Sequence, residues 1–430
     1  MPIYLNYLSY FVILIPAFLV TGPFLPDLIV SVSALFFAIY IIQNRLFFLF
    51  NNFFFKLFVV FWIILIFSSL FSVQKLISLK VSVFYIRFGI FVIFICYLLD
   101  KNKNFLNNFF YSTIITISVV IFDSYLQYFT GENLIGIPSK VDGGRLTSFF
   151  GDELIVGSFI ARMFPLLVSF FFLLKLKYNY IYLPLIFFLT DIIVFLSGER
   201  TSFGIIIILN FLFIIFLKEF KKIRLLTFLI SIVTIFILIF NNPVLKNRMI
   251  DQTLNEFKVR NFSEPEFKIN NNQNFFTKII EDKKSFFIFT EQHDQHIKTA
   301  YNIFLDNKLI GAGPKMFRYL CSDEKYNVGK WSCTTHPHNT HIQLLSETGL
   351  IGYSIVFFIL ILISYLFLIL FIKKNTKLSI NITDYQICHL SSFLITLFPF
   401  IPSGNFFNNW LSIVYFLPVG FYLHAIKDSK

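Results

Sequence analysis

The 430-residue chain is short of charge: only 14% of its residues are Asp, Glu, Lys or Arg, where soluble domains carry about a quarter. That shortage excludes an ordinary water-soluble fold. With 57% of residues hydrophobic, 20% aromatic and a mean hydropathy of +0.74, too much Phe, Ile and Leu would remain on the surface. A basic patch interleaved with aromatics is also missing, so the net charge of +12 does not point to nucleic acid. The chain has no basic segment before its first apolar run, because the first Lys or Arg is Arg45. No cleavable signal peptide is therefore expected, and Leu5 to Thr21 reads as a first span. Only four cysteines occur, with no C-x-x-C pair. Cys96 and Cys388 lie in apolar runs and read as inert core residues. Cys321 and Cys333 lie in a polar segment, where a disulfide forms if that segment faces an oxidising compartment. No repeat at a solenoid period is present.

What the chain does have is apolar runs. A span needs about 20 apolar residues. Twelve are expected, near 5–21, 25–43, 57–73, 80–99, 108–128, 156–174, 180–197, 203–217, 225–241, 350–372, 386–402 and 409–425. The expected fold is thus an all-α polytopic membrane protein of about 12 transmembrane helices. Residues 1–241 hold helices 1–9, residues 242–349 form a large, partly helical loop, and residues 350–430 hold helices 10–12.

Lys and Arg in the short loops set the orientation. Arg45, Lys56, Lys101, Lys103, Lys175, Lys177, Lys218, Lys221, Lys222, Arg224, Lys373, Lys374, Lys377, Lys427 and Lys430 share one side; Lys75, Lys80, Lys140, Arg145 and Arg200 share the other. Both termini are expected in the cytoplasm and the large loop outside it. Within that loop, residues 268–274 are polar and irregular. Ile297, Ala300, Tyr301 and Phe304 follow the i, i+3, i+4, i+7 pattern of an amphipathic helix, ended by Asn307 and Gly311.

Arg87, Asp123, Arg162 and Asp191 fall inside expected spans, all in the outer half, with Arg145, Glu199 and Arg200 just beyond. Two readings stand: structural or snorkelling charges, or an outward cavity for an anionic head group.

The richest stretch is His336 to Gly352, which ends the loop and enters span 10. Asn339 or Thr340 can cap a short helix carrying Ile342, Leu344 and Leu345, and Gly349 can break it. His338 then sits at a helix N-terminus, where a phosphate would be favoured. Glu347 reads as a residue on that helix's surface. The histidines admit three readings: zinc ligands, surface loop residues, or a general base or hydrogen-bond donor at a reacting group. Metal fits least, because H-x-H-x-x-H is not H-E-x-x-H and the helix would split the ligands.

His338-Asn339, nine further residues, then Gly349-x-x-Gly352 resembles the H-[NSQ]-x9-G-x-x-G motif of bacterial O-antigen ligases, which share a membrane superfamily with O-antigen polymerases. Arg200, in the outer loop between spans 7 and 8, is similar to an Arg of that family. Gly311-Ala312-Gly313 is similar to its G-x-G, and Arg145 to Glu153 resembles another of its outer loops. There are two departures. Tyr353 follows the last Gly where the family usually has Thr or Val, and Gln292 to His296 stands where the family often has Arg. His293, His296, Arg248 and Arg260 are the candidate replacements.

The resemblance implies glycosyl transfer on the periplasmic side of the inner membrane, with no cofactor or metal. The donor would be a glycan on undecaprenyl pyrophosphate. The acceptor would be lipid A–core for a ligase, or a second lipid-linked glycan for a polymerase. His338 and Arg200 are the catalytic candidates; Arg145, Asn339, His336, His296, Arg162 and Glu199 are the substrate-binding ones. Arg forks suit the leaving pyrophosphate, and direct attack would invert the anomeric centre. The sequence shows neither the paired carboxylates of glycosidases nor an Asp-x-Asp clamp for a nucleotide sugar. A lipid-linked glycan transporter or flippase without chemistry, or a structural scaffold, are the alternatives. The polar turn Pro402 to Asn409 could line an acceptor groove or be a turn and nothing more.

Overall fold

A computed structural model describes residues 1–139, 145–174, 178–255, 290–373 and 382–428. Residues 268–274, with Lys140, Lys175, Lys177, Arg260, Lys374, Lys377 and Lys430, lie outside the described residues. The described residues form helices: α1 (Ile3–Ile13), α2 (Ile15–Val20), α3 (Phe24–Gln43), α4 (Phe53–Leu70), α5 (Lys75–Lys101), α6 (Phe105–Thr130), α7 (Val156–Leu174), α8 (Asn179–Leu196), α9 (Arg200–Phe216) and α10 (Lys221–Asn241) come first. After them come α11 (Pro243–Lys246), α12 (Glu291–Asp306), α13 (Phe317–Leu320), α14 (Thr340–Lys373), α15 (Asp384–Thr396) and α16 (Asn409–Asp428). No strand occurs among the described residues, apart from an isolated bridge between Glu132 and Pro138.

Nine of these helices are long and apolar enough to cross a bilayer: α3 to α8, α10, α14 and α16. The chain is a multi-pass helical membrane protein. The other three expected runs also form helices, but short ones. The first divides into α1 and α2 at Leu14, because Pro16 lies in the first turn of α2 and has no N–H to continue the ladder. The eighth is α9, and the eleventh is α15, whose 13 residues rise only about 20 Å against a hydrocarbon core of about 30 Å.

Helix α7 is the axis of the bundle: 83% of its apolar window is buried, against 17% for α14. The exposed Leu, Ile and Phe of α14 and α10 are apolar surface turned outward, as expected where hydrocarbon is the solvent. Three of the charges expected in spans are structural. Asp123 accepts hydrogen bonds from the Ser148 hydroxyl and the Leu134 amide. Asp191 accepts from Arg224, Asn210 and Ser231, with the Arg224 guanidinium at 2.9 Å. That buried pair joins a charge of the expected outer group to Arg224, a member of the expected inner set. Arg87 pairs with Asp27 at 2.8 Å, and Asn409 donates to the same carboxylate. An unpaired charge at such depth would cost several kcal/mol, roughly.

Candidate functional site

The candidate residues fall in two groups, one where the loop helix α12 meets the start of α14 and one at the starts of α7 and α9. Thr290 caps α12 by accepting the His293 amide, and Glu291 and Asp294 suit its positive first turn. Its buried face is His296, Thr299, Ala300 and Ile303, one residue behind the expected Ile297, Ala300, Tyr301 and Phe304. The rotation has a polar cause: it turns His296 inward beside the motif histidines.

The G-x-G and the His motif are two halves of one contact. The amides of Ala312 and Gly313 donate to the carbonyls of Ser346 and Glu347, and those of Leu350 and Ile351 donate to Lys308 and Leu309. The backbones approach so closely that a Cβ on Gly311 would lie 2.3 Å from the Thr348 nitrogen, and one on Gly349 2.3 Å from the Leu309 carbonyl. Both glycines have positive φ. Gly349 breaks α14 as expected, and the Asn339 carboxamide caps it by accepting from His341 and Ile342. Glu347 is a correction. It is fully buried, accepts from the Phe317 amide and from Gln343, and so ties α13 to α14.

His338 projects from a backbone held at φ +53, a conformation non-glycine residues rarely adopt. Its carbonyl accepts from Ser403, whose own carbonyl meets His336 Nε2 at 3.2 Å. The Thr340 hydroxyl also donates to Ser403, and Asn339 donates to Pro399. The 402–409 turn thus braces the motif. Around His338 gather three rings: His336 at 4.1 Å between centroids, His293 at 5.2 Å and His296 at 5.3 Å. His341 faces elsewhere, between Tyr353 and the Leu397 carbonyl. Among the described residues, no trio of His, Cys, Asp and Glu has the arrangement of a metal site. Burial, then the neighbouring imidazoles, lowers the His338 pKa to about 3; burial lowers His296 and His336 to about 4. Burial and crowding thus favour the neutral imidazole at all three positions.

A second group lies at the starts of α7 and α9. Glu199 accepts from the Gly157 and Ser158 amides at 2.7 and 3.0 Å and from the Ser202 hydroxyl. It caps α7, and burial raises its pKa. Around this carboxylate stand Arg145, Arg162 and Arg200. Arg145 donates to the Leu154 carbonyl, Arg162 to Ser158 and Arg200 to Thr253. The Arg145 loop is fixed by Gln127, which accepts from the Thr147 and Ser148 amides. The Nε atoms of Arg145 and Arg162 are buried without a hydrogen-bond partner among the described residues. An orphaned buried donor costs about 1–3 kcal/mol, more when charged, unless a ligand fills it. Arg248 joins this group through the Gly198 carbonyl.

Residues 183–357 match the family model described as O-antigen ligase. This stretch of the chain is similar to the O-antigen ligase family. The matched stretch runs from α8 into α14 and contains Arg200, the loop helix, the G-x-G and the whole His motif. No curated protein matches the chain.

Of the candidates for the missing loop Arg, the structure brings His293 and His296 to His338 and Arg248 to the Arg200 group. Sequence reasoning missed Arg318 and Lys315, which follow the G-x-G; their charges bear on His336 and Glu347. Their place directly after the G-x-G was the available signal. Cys321 and Cys333 form a disulfide. The turn it closes meets α12 where the Trp331 amide donates to Gln295 at 2.8 Å. Closing so short a loop contributes about 3 kcal/mol. A Cys321→Ser/Cys333→Ser variant should therefore exchange α12 amide hydrogens faster, by mass spectrometry; unchanged protection would contradict this bracing role.

Proposed function

We propose that the chain transfers a glycan from undecaprenyl pyrophosphate to a sugar hydroxyl at the periplasmic face of the inner membrane, without a metal. The preferred acceptor is lipid A–core, which makes it a ligase. The His motif favours this over a polymerase that uses a second lipid-linked glycan. The Lys and Arg distribution supports cytoplasmic termini and a periplasmic site.

The observation that carries the reading is the gathering of His336, His293 and His296 around His338, with a separate group in which Arg145 and Arg162 hold unused buried N–H groups. His338 accepts the proton of the attacking hydroxyl. The oxygen bonds to the anomeric carbon as the bond from that carbon to the pyrophosphate oxygen breaks, and the configuration inverts. Arg200, Arg145 and Arg162 hold the charge that develops on the leaving pyrophosphate. His336 and His296 flank the acceptor. Asn339 and Glu199 serve binding indirectly, since their side chains are spent on capping α14 and α7.

Arg200→Ala should lower transfer by about 10²–10³-fold, the usual scale for losing a donor to a developing oxyanion. The assay supplies a lipid-pyrophosphate glycan with lipid A–core or with a second lipid-linked glycan. The acceptor consumed separates ligase from polymerase. Full activity in Arg200→Ala would remove that residue from the mechanism. No transfer to either acceptor by the parent would favour a transporter.

A further inference from the structure

The superfamily match and the proposed chemistry account for the two groups above, but not for the cations on the turn after the G-x-G. Gly313 is held at φ +102, and a Cβ there would lie 2.6 Å from Ser72, so this turn is pressed against the end of α4. The Phe317 amide is clamped by the buried Glu347 carboxylate, which Gln343 links to Asn405 and the 402–409 turn. Met316 and Phe317 are buried, and Cys321 closes the far side with its disulfide. The backbone of residues 313–321 is therefore fixed at both ends. It presents Arg318 exposed and Lys315 half-buried.

Among the described residues, neither Lys315 nor Arg318 forms an ion pair. The nearby carboxylates are already engaged: Asp27 by Arg87 and Asn409, and Glu347 by Phe317 and Gln343. Lys315 is itself φ +63, a strained conformation for a side-chain-bearing residue. Burial and the Arg318 charge push its pKa below the usual range. Two cations held together on a rigid turn beside His336, sharing Glu347 and Asp27 with other partners, repel each other until a further anion arrives.

We infer that Lys315 and Arg318 form an acceptor-side oxyanion site, which takes a phosphate or carboxylate group on the sugar whose hydroxyl faces His338. This rests on the proposed transfer, and it deepens it. The arginines around Glu199 serve the donor's pyrophosphate, and the turn after the G-x-G selects an acidic acceptor. A guanidinium fork and an ammonium suit such a group at the rim of a partly desolvated site.

The test compares the parent with Arg318→Gln and Lys315→Gln/Arg318→Gln, all full-length in detergent. Acceptor glycolipids carry a phosphomonoester, a carboxylate or neither. For the phosphorylated or carboxylated acceptor that the parent prefers, KM should rise about tenfold or more in the double variant, with KM for the donor unchanged. For the neutral acceptor, parent and variant should match. The preferred acidic class names the natural anion. An equal loss with the neutral acceptor, or no change with either acidic one, would overturn the inference. Binding is measured separately from turnover, by titrating tritiated phosphorylated glycolipid without donor. Weaker binding in the variant would uphold the site even if the parent transferred nothing; equal binding would reject it even if transfer were seen.

Discussion

Replacing His338 with Ala should lower glycosyl transfer by about 10²–10⁴-fold, the usual contribution of a positioned base, while the protein still folds. The residue's structural bond to Ser403 is made by its backbone carbonyl, so an Ala side chain leaves it in place. What the substitution removes is the ring at the centre of the three other imidazoles. His336→Ala and His296→Ala should cost less, because each touches the reaction only through His338 or the acceptor. The pH dependence follows from the lowered pKa. With His338 titrating at about 3 in the empty site, its neutral form persists as pH falls from 7. The acid limb of kcat/KM, which reports the free enzyme, should therefore lie below about pH 5 and not near the ordinary His value of about 6.5. A bound pyrophosphate raises the pKa of a neighbouring base, so the acid limb of kcat should lie higher than that of kcat/KM. A kcat/KM profile that falls off at pH 6.5 would contradict the crowded, neutral base.

Gly349→Ala should be the most damaging substitution outside the chemistry. A Cβ at this position meets the Leu309 carbonyl at 2.3 Å and the Gly311 nitrogen at 2.6 Å. Both are backbone atoms, so no side chain can rotate away. The positive φ of +64 adds strain whatever the space. Relief requires separating the G-x-G from α14, which breaks the hydrogen bonds of Leu350 and Ile351 to Lys308 and Leu309. The expected cost is about 3–5 kcal/mol, in the range of severe local disruption, with transfer lost. Gly136→Ala is the control. It also has positive φ, at +80, but a Cβ there meets nothing within 4 Å, so it should cost only about 1 kcal/mol. Thermal unfolding in detergent compares the two; equal stability would refute the close-contact account of the motif.

The sequence carried the apolar run of each of the nine described helices long enough to cross a bilayer, because period and length alone specify a span. It also carried the cap at Asn339 and the break at Gly349, which are local backbone chemistry. Three features were less legible. The true inward face of α12 differed by one residue, because a buried His296 counts as polar in a periodicity pattern. Glu347 looked like a surface residue because its partners, Phe317 and Gln343, become neighbours only after the G-x-G docks. Asp191 could not be matched with Arg224 from charge counting, since a loop-side Arg at the start of α10 reaches inward to meet it. The site's residues were therefore visible singly, whereas the grouping of four imidazoles on one side and the arginines around Glu199 on the other depends on long-range packing.

The proposed reaction breaks the bond between a glycan and a lipid pyrophosphate without metal. The most direct measurement incubates purified protein with a radiolabelled lipid-pyrophosphate glycan, lipid A–core and excess EDTA, and follows both glycosylated acceptor and released undecaprenyl pyrophosphate. Equal amounts of the two products, formed by the parent and lost with His338→Ala, is the predicted result. Intact donor after prolonged incubation with either acceptor class, in the presence and absence of EDTA, would contradict it.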